Sequence, residues 1–484
     1  MSTEKNKDRT ETISLRIQNN SSVAIPIQVM AGFNTDYGNA NKNVLVSWNL
    51  TGEPFTSDII ILTTTPQQQQ TLESLDFDGV VQALNKMGVA TFFRNGATIY
   101  ATALLNSTVE TADIQIGGAT FSIGTGYNHN ADALAIQDDG KFLVGGVYIS
   151  YNGTSANRII RLNDDGSIDS TFIYGIGFNT AVNFIEIQSD GKLLIGGDFT
   201  DYNGTAANRI IRLNADGTID GTFVYGTGFF PTVNIIKVQS DGKIILGGSF
   251  ITYNGTPANR IIRLDDDGTI DGTFVYGTGF NSVVYSFVIQ SDGKIIIGGQ
   301  FTTYTGTSAN NIIKLNNDGT IDGTFVYGSG FSNPTFNYRI EAITVQSDGK
   351  ILAGGTFTDY NGTAANRIIR LNADGTVDGT FVYGTGFDDT VQAITLQADG
   401  KILVGGIFTD YNGTAANRII RLNADGTVDG TFVYGTGFPL GVQYISIQSD
   451  GKIICVGDFT AYNGEIANRI IRLNTNGSSD TIGS

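Results

Sequence analysis

Gln239-Ser240-Asp241-Gly242-Lys243-Ile244-Ile245-Leu246-Gly247-Gly248 joins a turn to a short unbroken apolar run and a glycine pair. Its central Asp-Gly-Lys begins at Asp139, Asp190, Asp241, Asp292, Asp348, Asp399 and Asp450, at intervals of 51 residues except for one of 56. A second motif, Thr-Phe-x-x-Gly-x-Gly, keeps step through Phe121, Phe172, Phe223, Phe274, Phe325, Phe381 and Phe432. The long interval holds a five-residue insertion around Ser332–Arg339. A fixed period of this size marks a repeat architecture, in which each unit buries its apolar face only against its neighbours.

Around that run, Val233–Gln239 alternates loosely and enters the turn Ser240-Asp241-Gly242. Lys243–Leu246 is too short for a helix and too uniformly apolar for a half-wet strand, so it reads as a strand covered on both faces. The loop Tyr253-Asn254-Gly255, the strand Arg260–Leu264, the turn Asp267-Gly268 and a fourth strand, Thr273–Tyr276, complete the unit. Nothing in it has helical spacing or length. Four strands in about 40–50 residues is the size of a propeller blade.

The ends of the array predict how it closes. The last unit stops after Arg472-Leu473-Asn474-Thr475-Asn476-Gly477 without its Thr-Phe-x-x-Gly-x-Gly segment. An orphan copy, Thr120-Phe121-Ser122-Ile123-Gly124-Thr125-Gly126, precedes the first Asp-Gly-Lys. The N-terminal edge thus supplies the strand missing at the C-terminal edge, and a closed ring of seven leaves no sheet edge open to aggregation. The competing architecture, an open solenoid, needs capping repeats at its ends, and none is visible.

The whole chain has 484 residues, 63 of them glycine and 7 proline, which excludes collagen. Its formal charge of −17 argues against a nucleic-acid partner, because neutralising phosphates takes clustered Lys and Arg. One Cys precludes an internal disulfide, and one His removes most His-based catalysis and most zinc sites. Met1–Leu15 carries no leader-like apolar run, and no stretch reaches the roughly 18 apolar residues of a transmembrane helix. If the protein acts outside a cell, something other than a Sec-type leader is expected to carry it there.

Residues 1–118 stand apart, with 8 glycines against 55 in the remaining 366 residues. Residues 1–12 read as a polar arm, and 13–118 as a small α+β domain. Its expected strands are Ile13–Gln18, Ile25–Met30, Val44–Trp48 and Ile59–Leu62. A helix over Asp76–Met87 ending at Gly88, and a hairpin around Asn95-Gly96, follow.

The Gln-Ser-Asp-Gly-Lys-Ile-Leu-x-Gly-Gly core, the Asn-Arg-Ile-Ile-Arg-Leu-Asn strand and the Asp-Gly-Thr-x-Asp-x-Thr-Phe turn resemble the delta-60-repeat family of β-propellers. The likeness covers residues 119–484 and implies a seven-bladed ring, with no particular activity attached. Ser14–Asn20, Val46–Gly52 and Thr91-Phe92-Phe93 resemble N-terminal regions of structural proteins in crAss-like tailed bacteriophages. That likeness implies a virion component, assembled in the host cytoplasm and released by lysis. Residues 13–118 would dock on other virion proteins in multiple copies, and the propeller would face outward.

Each candidate site has a plainer alternative. The Asp-Gly turns offer carboxylates for calcium, yet each has only two or three, and Asp and Gly are good turn residues in their own right. Calcium is therefore not favoured, and no other cofactor is expected. Asn-Gly-Thr at Asn203, Asn254, Asn361 and Asn412 matches a glycosylation sequon and also a loop turn. Asn208-Arg209 and Asn417-Arg418 suit anionic sugars or, more simply, pairing of the Arg with turn Asp residues. The loops after Thr-Phe-x-x-Gly-x-Gly differ from unit to unit while the strands around them hardly change. They form either a recognition rim or a row of drifting loops, with His129, Phe230, Asn281, Phe336, Tyr338, Asp388, Asp389 and Leu440 as candidate binding residues. No catalytic residue is assigned: His129 reads as a solvated loop residue and Cys455 as an apolar filler.

The expected function is a non-enzymatic interaction protein. As a virion component it would display its propeller to a host-surface glycan, receptor or protein. The alternative is a bacterial surface carbohydrate-binding or adhesion module. No membrane insertion is expected.

Overall fold

The computed structural model describes residues 121–122, 124–333 and 338–480, and the backbone of the N-terminal strands named next. The chain divides into two compact units, Met1–Thr120 and Phe121–Ser484. In the first, Glu11–Ile17, Ile25–Phe33, Asn43–Leu50, Ile59–Ile61 and Gln70–Thr71 form one antiparallel sheet in chain order. Ala90–Asn95, Thr98–Leu105 and Thr108–Ala112 form a second sheet, with Asn95 paired to Thr98 across the expected hairpin. The helix expected over 76–87 lies outside the described residues. Among the described residues of the chain every regular element is a strand, and no helix is long and apolar enough to cross a membrane.

The second unit is a ring of seven blades. In blade 3 the strands Val233–Val238, Ile244–Gly248 and Ile261–Leu264 run antiparallel in that order from the central channel outward. All residues of the middle and outer strands are buried, as the unbroken apolar run predicts. The glycine pair ends the middle strand where the chain is crowded. A Cβ on Gly247 would sit 2.7 Å from Val284 of the next blade, and one on Gly248 would sit 2.3 Å from the Thr232 carbonyl. A short hairpin, Thr252–Tyr253 with Thr256–Pro257, packs Tyr253 against Phe229 at 4.4 Å between ring centres. Phe229 also meets Phe250 at 4.6 Å, and equivalent aromatic trios recur around the ring.

The fourth strand expected at Thr273–Tyr276 is not one. After a single bridge between Leu264 and Ile270 the chain leaves the ladder. Asp271 caps Thr273 through both its amide and its hydroxyl, and Gly277 and Gly279 have left-handed φ. Extended geometry is lost there, and the Val275 amide donates instead to the Asp318 carbonyl of the next blade, at 2.7 Å. The segment works as a clasp between blades.

The same clasp closes the ring. Phe121 donates its amide to the Asp480 carbonyl at 3.2 Å, Ser122 to Asp165 at 2.9 Å, and Tyr127 to Asn468 at 3.1 Å. Phe121 and Tyr127 are 1% exposed and lie in a core shared by blades 7 and 1. The Arg472 guanidinium lies 5.2 Å from the Phe121 ring centre, as Arg263 lies 4.8 Å from that of Phe274. Closure from the N-terminal edge is as expected, made by a clasp and not by a strand.

Candidate recognition face at the channel mouth

The inner strands enclose a channel of about 700 Å³. The first residue of each strand is buried between blades, and the second lines the channel at one end. Around the ring that second position reads Asp132, Asn183, Asn234, Tyr285, Glu341, Gln392 and Gln443. All seven are half-buried and carry groups able to hydrogen-bond. Two residues further along, Leu134, Ile185, Phe287, Ile343, Ile394 and Ile445 make an apolar waist. Beyond it, Glu186 pairs with Lys237 at 2.8 Å.

The mouth differs from one side to the other. Between blades 4 and 5, the long loop delivers Arg339, which pairs with Glu341 and places its guanidinium 5.2 Å from the Tyr285 ring centre. Burial raises the Glu341 carboxyl while Arg339 pulls it down, the first effect prevailing. Across the ring, at the seam of blades 7 and 1, burial and the nearby Asp458 push Asp132 up to about 7. Asp458 is itself raised by burial, against the pull of Arg469 and His129. Amides fill the two flanks. Gln443 Nε2 donates to Asp458 Oδ1 at 3.2 Å, Asn234 Nδ2 donates to the Val284 carbonyl at 3.1 Å, and the buried Oε1 atoms of Gln392 and Gln443 accept no hydrogen bond from the described residues.

The candidates on the rim divide by what they touch. His129, Phe230, Asp389 and Leu440 stand exposed, Phe230 at 57% and Leu440 at 50%. Arg209 stacks 5.6 Å from the Phe230 ring centre. Asn281 and Asp388 are engaged in holding the loop: Asn281 Oδ1 accepts from the amides of Thr302 and Thr303, and Asp388 Oδ1 from those of Thr409 and Asp410. Tyr338 is half-buried against the blade 5 core. Phe336 lies outside the described residues. The channel row was missed in the sequence because the inner strand reads as loosely alternating. Aligning the seven copies position by position would have exposed it.

The repeated charges have other work. Asp220 Oδ2 takes Arg212 Nε at 2.7 Å and Lys192 at 3.3 Å, while Oδ1 takes the amide and hydroxyl of Thr222. Burial opposes its ionisation, but these donors outweigh burial and hold the carboxyl far below the usual range. The first Asp of the turn, Asp216, accepts from the amide and hydroxyl of Thr218. Both carboxylates thus serve turn and ion-pair geometry. The Arg that pairs with turn Asp is the one in the strand, Arg212, and not its neighbour Arg209. Arg209 sits at φ 65°, and its equivalents Arg158 and Arg260 donate to the carbonyls of Phe178 and Phe280. Left-handed backbone turns those side chains along the blade edge, away from the Asp-Gly turns.

His129 Nδ1 accepts from the Asn130 amide, and Cys455 is fully buried, its thiol pushed far up by that burial. Neither faces a nucleophile–base partner among the described residues. Fold and site together define a seven-bladed β-propeller with a repeated frame and one individual mouth.

Residues 137–172, 188–223, 239–274, 290–325, 346–381, 397–432 and 448–481, together more than half of the chain, match the family described as "Domain of unknown function (DUF5122) beta-propeller". The chain belongs to that family. It is 25% identical over 374 residues to a Salmonella typhimurium protein that bears the name surface-exposed virulence protein BigA. The match covers 71% of this chain and 18% of that protein, so the chain spans less than a fifth of this relative's length. Similar solved structures include the WD40 β-propeller domain of Doa1, with a TM-score of 0.47 and 16% identity over 72% of this chain and 93% of that one. A gluconolactonase from Xanthomonas campestris has a TM-score of 0.33 and 14% identity over 65% of this chain and 88% of its own.

Proposed function

We propose that the chain is a non-enzymatic recognition protein that presents the variable mouth of its propeller to a ligand or partner on a surface. One observation carries this reading. Repeats that keep their strand and turn residues nearly unchanged place seven individually chosen hydrogen-bonding side chains at a single level of the channel. Packing dictates the frame, because each blade must fit its neighbours. No packing rule demands Tyr at blade 4, Glu at blade 5 and Gln at blade 6.

The resemblance of Ser14–Asn20, Val46–Gly52 and Thr91-Phe92-Phe93 supports a virion as the setting, with residues 13–118 docking on other virion proteins in multiple copies. A second setting, a bacterial surface adhesion or carbohydrate-binding module, is favoured by the similarity to the BigA protein. Mass spectrometry of purified phage particles and of cell envelopes separates the two. Peptides confined to particles support the first, and peptides confined to envelopes support the second. The recognition reading itself is tested with labelled full chain on a panel of intact bacterial and epithelial cells. Phe230→Ser with Leu440→Ser is expected to reduce cell binding at least fivefold. Unchanged binding, or no binding by the parent chain to any cell, overturns it.

A further inference from the structure

Resting on that reading, we infer that the ligand held at the channel mouth is a neutral oligosaccharide. The cavity of about 700 Å³ falls within the roughly 300–1,000 Å³ of small-ligand pockets and opens at the rim. Its polar level is dominated by amides, Asn183, Asn234, Gln392 and Gln443, with the phenol of Tyr285 beside them. An amide offers a donor and an acceptor side by side, as a sugar's adjacent hydroxyls do.

Two buried acceptors, Gln392 Oε1 and Gln443 Oε1, have no donor among the described residues. A Cβ built on Gly441 would come 3.3 Å from Gln392 Oε1, which places that oxygen beside the variable loop of blade 7. A buried acceptor without a partner costs free energy, which the half-buried Gln side chain would recover by turning its oxygen to a sugar hydroxyl in the channel. Below the amides, the half-buried rings of Phe184 and Tyr444 line the cavity and supply the flat apolar surface that the C–H face of a pyranose needs.

Charge selects against the other small ligands. Glu341 and Glu186 are each answered by a base, Arg339 and Lys237. The remaining carboxyls at the mouth, Asp132 and Asp458, have raised pKa values and offer no positive charge to an anion. Among the described residues no three His, Cys, Asp or Glu side chains gather as a metal site would require. The ring of arginines that includes Arg158 and Arg209 is outside the channel lining.

Calorimetric titration of the full chain with N,N′,N″-triacetylchitotriose, maltotriose and 3′-sialyllactose tests the inference. One of the two neutral trisaccharides is expected to bind, and sialyllactose not. Gln392→Ala is expected to weaken binding about five- to tenfold with unchanged melting, and Tyr285→Ala to weaken it further. Binding of sialyllactose alone, no binding of any of the three, or neutral-sugar binding unaffected by both variants overturns it. The cell-binding assay separates this failure from that of the parent reading. Loss of cell binding in Phe230→Ser with Leu440→Ser, but not in the channel variants, leaves surface recognition by the rim standing without a sugar in the channel. Cell binding indifferent to every variant ends both.

Discussion

At the Asp-Gly-Lys end of the propeller, Arg212 meets Asp220 at 2.7 Å, and Arg161–Asp169, Arg263–Asp271, Arg370–Asp378, Arg421–Asp429 and Arg472–Asp480 repeat the pair at 2.6 or 2.7 Å. At the other end, Asp132, Asn234, Tyr285 and Gln392 occupy one equivalent position and have only polarity in common. The first end faces a problem that is identical in every blade. Each Arg reaches over to the turn of the next blade, Arg212 to the Asp266 carbonyl at 2.5 Å and Arg472 to that of Asp164 at 2.5 Å. A latch between blades has one best solution, and duplication copies it. The mouth faces outward from the latch and is free to be individual. Stability and the proposed recognition therefore fall at opposite ends of the same fifty-residue unit, and each prediction below tests that separation.

The largest effect is expected at the seam. Deleting residues 119–127 removes the buried aromatics Phe121 and Tyr127 and the amides that hold blade 7 to blade 1. Truncating one buried aromatic costs about 3–5 kcal/mol, and here two go together with the clasp. Loss of cooperative melting, or aggregation during calorimetry, is expected. A deletion mutant that melts like the parent would refute closure from the N-terminal edge.

Next in size is the latch. Arg212→Ala leaves Asp220 buried without its main partner, and breaking a buried pair from one side costs about 3–5 kcal/mol. Blade 4 already carries a softer version: Lys314 stands where the Arg would be, reaches the Ala373 carbonyl at 3.3 Å, and leaves Asp322 to Lys294 at 2.9 Å. Arg212→Lys is therefore expected to cost less than half as much by denaturant titration. The latch also fixes the acid behaviour. Asp169, Asp220, Asp271, Asp378 and Asp429 have folded pKa values held low, and Asp322 lies at about 2. Their stabilisation is full above the unfolded value near 3.9 and fades as pH falls through the folded values. The frame is expected to melt normally at pH 4 and to weaken steeply near pH 2, followed by circular dichroism.

Asp132 titrates the other way. Its folded pKa of about 7 lies above the unfolded value, so the folded chain binds a proton that the unfolded chain does not. Stability is then expected to rise as pH falls from 8 toward 5, by a few degrees in Tm, while the latch is still fully ionised. Asp132→Asn should flatten that slope and leave the acid transition near pH 2 unchanged. A slope that persists in the variant would assign it to another group.

The frame was legible because its parts are local and repeated. A turn such as Asp216-Gly217, the buried run Ile244–Leu246 and the orphan segment at Phe121 each carry their meaning in a few residues. What escaped was decided between distant residues. Thr273–Tyr276 has the β-branched and aromatic residues of a strand, but its hydrogen bonds go to Asp271 and to Asp318 of the next blade. Arg209 and Arg212 look alike in the sequence, and only the left-handed φ of the first sends it away from the turns. On the rim, Asn281 and Asp388 read as exposed and variable, yet each staples its loop to the following hairpin. The channel row stayed hidden because its seven members lie about fifty residues apart and become neighbours only when the ring closes.

The smallest expected effect on stability bears on that row. Gln392 is half-buried, and its Oε1 holds none of the described residues in place. Gln392→Ala is expected to change stability by no more than about 0.5 kcal/mol, a Tm shift of a degree or two at most. Tyr285→Phe keeps the ring under Arg339 and should be as quiet. If either variant unfolded the ring as Arg212→Ala is expected to weaken it, the mouth would belong to the frame, and its variety would need a packing explanation blade by blade. Quiet melting combined with altered ligand or cell binding would place these side chains on the recognition side of the division, where a loss is read in affinity and not in stability.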